Sequence, residues 1–205
     1  MTQAGGHGVV ALPEPHRTGE MSLEAALARR RSVRDYAATP VSIAAVSQLL
    51  WAAQGITASE GRRTAPSAGA LHPLETYVVA GAVVELAPAV YHYDPRSHRL
   101  LLRTAGDLRR ALADAAFEQD WLAEAPAVIG LGAVPERSEH KYGRRALRYV
   151  HIEVGHAAQN VCLQAVALGL GTVVVGAFQD RVVHDVLCLA SDVRPIALLP
   201  VGVRR

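Results

Sequence analysis

The chain has 205 residues, half of them apolar and a fifth charged, with 21 Lys and Arg against 19 Asp and Glu for a formal net charge of +2. That length suits about one domain with a real core, and the composition excludes wholesale disorder. A near-neutral balance, aromatics at 5% and no basic stripe beyond one short cluster argue against a nucleic-acid footprint.

Residues 1–20 are rich in Gly, Pro and short polar residues without a period, which predicts a loosely held arm ahead of a single domain over 21–205. The first thirty residues lack a charged start followed by an apolar run, and no stretch approaches about 18 uninterrupted apolar residues, so a cytoplasmic protein with no membrane segment is expected. Cys162 and Cys188 lack C-x-x-C spacing and read as reduced, buried thiols.

The first helix is predicted from Ser22, a cap with Glu24 in the following turn and Leu23 and Leu27 at helical spacing. It runs into "RRRSVRD", residues 29–35. Arg30, Arg31, Ser32 and Arg34 fall within five residues, and guanidinium forks with a hydroxyl and backbone N–H groups can hold a phosphate monoester. The alternative is a solvated basic surface.

A second helix is capped by Ser42, carries Val46, Leu49, Leu50 and Ala53 on one face and stops at Gly55. The loop "GRRTAPSAGALHP" follows. Its small residues Pro66, Ser67, Ala68 and Gly69 would let backbone approach a flat ligand closely, if it is more than a connection.

Residues 75–80 read as a strand, and two alternating runs around Asp94-Pro95-Arg96-Ser97 as a hairpin. A helix is predicted near 106–118, then a strand over 126–134 whose apolar run implies burial on both faces. One long helix is expected from about His140 to Leu168, with Leu147, Val150, Val154, Ala157, Val161, Ala165 and Leu168 as its stripe and Gly169 as its stop. A strand over 172–178, a helix near 179–189 and a strand over 196–203 complete an α+β fold with a mixed sheet.

Two motifs mislead. Gly169 and Gly171 follow a helix and precede a strand, the reverse of a dinucleotide fingerprint. His151 and His156 stand at i, i+5 around Glu153, about 140° apart on a helix, so no metal site is expected and His156 reads as a packed or interface residue. Lys141 and Tyr142 could supply a proton donor or base, or simply begin an exposed helix.

The segments "SLEAALARRRSVRDY", "LLWAAQGI", "RRTAPSAGALHPLETYVV", "YGRRALRYVHIEVGHAAQNVCLQAVALGLGTVVVGAF" and "LLPVG", in this order, resemble the FMN-dependent nitroreductase superfamily from about Leu12 to Val203. The likeness is greatest to its SagB-type dehydrogenase branch, which includes thiazoline and oxazoline oxidases of peptide natural-product pathways. The resemblance implies a nitroreductase-like α+β fold: a central, mostly antiparallel sheet flanked by helices, in an intertwined homodimer.

It further implies FMN as cofactor, its phosphate and polar ring edge held by Arg30, Ser32 and Arg34 with Arg31 nearby. The Pro-Ser loop of the partner subunit, here Pro66, Ser67, Ala68 and Ala70, would cover the flavin. Backbone at Gly176 and Ala177 would face N5 of the ring. Lys141 and Tyr142 would correspond to a Lys-Tyr pair of azoline-oxidising relatives. Many simple nitroreductases have Asn where Ala70 falls and Glu where Gly176 falls, and a longer basic C-terminal arm, whose part Arg204 or Arg205 would take here.

The implied function is a two-electron, ping-pong oxidoreduction, with NAD(P)H as hydride donor and a nitroaromatic, quinone or similar small molecule as acceptor. One alternative is a dehydrogenase oxidising an azoline or other substrate, with oxygen restoring the flavin. A flavin-binding or scaffold module without catalysis is the other.

Overall fold

The computed structural model describes residues 8–205. Of the expected arm, residues 1–7 lie outside the described residues, and the remainder is not uniformly loose. Val9–Ala11 form strand β1 on the sheet edge, and the Gln48 side chain both accepts from the His16 N–H and donates to the His16 carbonyl.

Both serine caps operate. The Ser22 hydroxyl accepts from the Ala25 N–H at 3.1 Å to open α1, Leu23–Arg29, and Ser42 does the same for Ala45 at the start of α2, Ile43–Gln54. A short strand β2, Val41–Ser42, precedes α2 and pairs in parallel with β4, Val83–Val84.

The main sheet gathers β3 (Leu74–Ala80), β5 (Ala89–Asp94), β6 (Arg99–Ala105), β7 (Ala127–Ala133), β8 (Leu170–Thr172) and β9 (Arg194–Val203) with β1, in the order β1-β6-β5-β3-β7-β9-β8. Every neighbouring pair in it is antiparallel. The β5–β6 hairpin turns at Asp94, whose carboxylate accepts from the Arg96 N–H and the Ser97 hydroxyl.

Strand alternation divides the core. Val78 and Ala80 of β3 with Ile129 and Leu131 of β7 join α2 and α6 (Ala146–Ala167) on one face. Tyr77, Val79 and Val128 face α3 (Arg109–Ala115), α4 (Trp121–Glu124) and α7 (Asp180–Val186) on the other. All seven residues of β7 are buried, as its continuous apolar run requires.

Four local expectations change. The helix expected over 140–168 is two, α5 (Glu136–Tyr142) and α6, because Gly143 adopts φ 51°, ψ −135°, which no helix contains. Leu147 and Leu168, at the ends of the expected stripe, are exposed, whereas Val150, Val154, Ala157, Val161 and Ala165 pack into the core. The helix expected over 106–118 stops at Ala115, and Phe117 and Glu118 take positive φ. Past Thr172 the chain leaves the strand, retaining only a bridge from Val175 to Leu198. Of the two free thiols, Cys162 is buried but Cys188 only half-buried.

Candidate functional site

Two regions collect the residues singled out by sequence. The first surrounds the arginine run. It leaves α1 in extended conformation, and the Val33 N–H donates to the Thr172 carbonyl at 3.0 Å, with Ser32 and Thr172 bridged in parallel. The two segments touch so closely that a Cβ on Gly171 would lie 2.6 Å from the Val33 side chain. A cleft of about 140 Å³ results, lined by Arg29, Arg31 and Arg204 with Cys162, Gly169 and Thr172.

Arg30, Ser32 and Arg34 are not part of that lining, although the Arg30 charge reaches the Cys162 thiol within it. Arg34 reaches α4, its guanidinium carbon 5.8 Å from the Trp121 ring centroid. Arg29 was not singled out by sequence, and Arg205 is occupied by Asp35 at 3.1 Å, which leaves Arg204 as the C-terminal cation at the cleft. The residues present suit a phosphate monoester. Among the described residues the cleft lining holds three guanidinium groups and no carboxylate, and the buried Thr172 hydroxyl beside Ser32 has no hydrogen-bond partner.

The second region is the Pro-Ser loop. Ser67 accepts from the His72 N–H at 2.9 Å, and Gly69 holds φ 63°. A Cβ there would meet the Tyr142 hydroxyl at 2.7 Å and the Lys141 ammonium at 2.8 Å, so the glycine permits both the turn and the approach of that pair. The structure thus brings Lys141 and Tyr142 to the loop containing Pro66, Ser67, Ala68 and Ala70. Tyr142 is steadied edge-on by Tyr149, centroids 4.9 Å apart.

Beneath the loop lies Glu153, weighed in sequence only as part of a metal motif. It is 2% exposed, and burial pushes its carboxyl up to about 7 against the opposing pull of the Ser67 hydroxyl and the Arg63 charge. Its one sequence signal is a charge set into the apolar stripe of a helix. No group of three metal-ligating side chains occurs among the described residues, and His156 is exposed.

Gly176 and Ala177 are exposed in the segment after β8. The Gln119 side chain donates to the Ala177 carbonyl at 3.1 Å, and neither N–H has a backbone partner among the described residues. Along α6, Val166 at the arginine cleft and Glu153 under the loop are 13 residues, or about 20 Å, apart. Among the described residues no helix is long and apolar enough to cross a membrane.

A sequence profile of the Nitroreductase family matches residues 27–203. MJ1384 of Methanocaldococcus jannaschii, provisionally named a nitroreductase, is 45% identical over 183 residues, 89% of this chain and 91% of its own. The trifolitoxin-processing protein TfxB of Rhizobium leguminosarum bv. trifolii is 33% identical over 135 residues, 62% of this chain but 36% of its own. A crystal structure from Ralstonia eutropha JMP134, also provisionally named a nitroreductase, superposes with TM-score 0.85 at 32% identity, covering 97% of this chain and 90% of that one. The chain therefore belongs to the Nitroreductase family and shares its α+β fold, which makes it a member of a family of oxidoreductases.

Proposed function

We propose that the protein is an FMN-dependent oxidoreductase that passes two electrons by a ping-pong cycle from NAD(P)H to a nitroaromatic, quinone or similar small acceptor. The observation that carries the reading is the cation-lined cleft beside the unpartnered Thr172 hydroxyl, a cradle for one phosphate group. When bound there, FMN would accept and release the hydride equivalents.

Arg31 and Arg204, with Arg29, would hold its phosphate at the cleft, and Arg30, Ser32 and Arg34 would hold the polar edge of its ring. Pro66, Ser67, Ala68 and Ala70 cover the ring and exclude water. The backbone N–H groups at Gly176 and Ala177 offer hydrogen bonds to the ring edge. Lys141 and Tyr142 hold the proton that accompanies the hydride at the acceptor, and Gly69 keeps that pair against the loop.

The active form is a homodimer in which the arginines of one chain face the loop of the other. Two features support this: the separation of the regions along α6, and large exposed apolar side chains on α1 and α6, including Leu23 at 61% and Ile152 at 49%. A cytoplasmic setting accompanies the reading. The likeness to TfxB supports a second reading, a SagB-type dehydrogenase that oxidises an azoline and returns electrons to oxygen.

The visible spectrum of purified protein, before and after anaerobic NADPH, tests the first reading. A flavin spectrum that bleaches is expected. Flavin that bleaches only with an azoline substrate would move the assignment to the dehydrogenase, and a colourless protein that rejects FMN would end both.

A further inference from the structure

Seven buried side-chain nitrogen or oxygen atoms lack a hydrogen-bond partner among the described residues, and four of them sit on side chains lining a single cleft. They are Gln54 Nε2, Arg63 Nε, His72 Nδ1 and Thr76 Oγ1. Buried polar groups are rarely left unpaired, and although these four atoms are themselves enclosed in the wall, they mark it as polar and poorly compensated, which needs a physical account. The cleft measures about 540 Å³, within the range of small-molecule sites, and lies between the stretch after Gly69 and the β5–β6 turn.

Charge gives the account. Three guanidinium groups, from Arg63, Arg96 and Arg137, line the cleft, and the latter two act on Arg63 as like charges. Arg137 is neutralised by Glu75, whose carboxylate also takes a 2.6 Å hydrogen bond from His92. Burial raises the Glu75 carboxyl, but those hydrogen bonds and charges outweigh it and hold the group below the ordinary carboxylate value. The remaining acid, Asp94, is taken up by Ser97 and the Arg96 N–H.

Arg63 and Arg96 make no ion pair among the described residues. Arg63 is half-buried, burial lowers its proton affinity, and its one recorded side-chain hydrogen bond goes to the neutral Gln54. Glu153 and Glu75 act on Arg63 as opposite charges, but Glu75 is already engaged by Arg137 and Glu153 is a neutral acid below about pH 7. Cations without an ion-pair partner on the wall of a cavity are matched by an acceptor-rich anion.

We propose that this cleft binds a small molecule bearing an oxyanion, a carboxylate or phosphate, gripped by Arg63 and Arg96. The site is separate from the arginine cleft toward the other end of α6; Ala70 of the loop assigned above to cover the flavin also lines it, but the grip by Arg63 and Arg96 does not depend on that assignment.

Isothermal titration of the full chain, saturated with FMN, with citrate and separately with inorganic phosphate at fixed ionic strength, tests it. Saturable binding of either anion, and none of spermidine, is expected; the anion preferred distinguishes a carboxylate ligand from a phosphate. Arg63→Gln should weaken binding roughly tenfold or more, and the exposed turn variant Arg96→Gln, which leaves the core untouched, about threefold. Absence of anion binding, or binding that survives both variants, would overturn the proposal. So would binding that disappears in an Arg29→Ala/Arg31→Ala variant instead, since the anion would then occupy the arginine cleft.

Discussion

The arginine run and the Pro-Ser loop stand at opposite ends of α6 and are built in opposite ways. The run is local: a short capped helix of seven residues, then an extended segment bridged to Thr172 that brings Arg29 and Arg31 to the cleft. The loop rests on partners from distant parts of the chain, with Glu153 and Tyr142 meeting Ser67 and Gly69. An exposed charge cluster can attract a phosphate with little scaffolding, whereas setting a proton donor against a loop needs a buried polar support. The two regions should therefore fail differently when altered.

The largest failure belongs to the run. Removing Arg30 and Arg34 together should cost about 4 kcal/mol of FMN affinity, roughly a thousandfold, and yield largely colourless protein of unchanged fold, read from the flavin-to-protein absorbance ratio. Full FMN occupancy in that variant would remove Arg30 and Arg34 from the site.

The next effect lies under the loop and appears as pH dependence. Because folding raises the Glu153 carboxyl from the ordinary value to about 7, the folded chain holds a proton that the unfolded chain has released between those values. Stability from this group is therefore full below the ordinary carboxylate value and declines as pH rises to about 7, by about 3 kcal/mol. Urea denaturation of wild type and Glu153→Gln from pH 4 to 8 should give curves that converge at low pH and separate at high pH, with the variant the more stable there. Parallel curves would mean that Glu153 titrates normally.

Lys141→Met and Tyr142→Phe sharpen the contrast in the other direction. Each should lower turnover by about a hundredfold with FMN content unchanged, the mirror of the arginine variants. Loss of flavin in either would show that the pair holds the cofactor instead. The smallest effect is Ser22→Ala, which removes the hydroxyl that accepts from Ala25. It should cost about 1 kcal/mol and lower Tm by a few degrees while flavin stays bound, read by thermal melting.

This contrast also explains what could be read in the sequence. The caps at Ser22 and Ser42, the Asp94 hairpin and the buried β7 are written in short-range patterns, and all four are present. The α5–α6 break was missed because a single glycine inside an apolar period is tolerated in many helices; only its φ of 51° shows that this one ends the helix. Arg29 and Arg31 line the cleft whereas Arg30, Ser32 and Arg34 do not, which a count of arginines does not reveal. The roles of Arg63 and Glu153 depend on contacts between a loop and a helix some ninety residues later in the chain, and sequence spacing carries no trace of them.

The central claim is that arginines and loop from different chains make one flavin site. Co-expression of an Arg30→Ala/Arg34→Ala chain with a Ser67→Trp chain, whose bulk blocks the loop, tests it without knowledge of the substrate. Each variant alone should be nearly free of FMN. If the site is shared, half of the co-expressed dimers are mixed and each has one intact site, so flavin should return to about a quarter of the wild-type content. Co-expressed protein as colourless as either parent would place both halves of the site in the same chain and contradict the account.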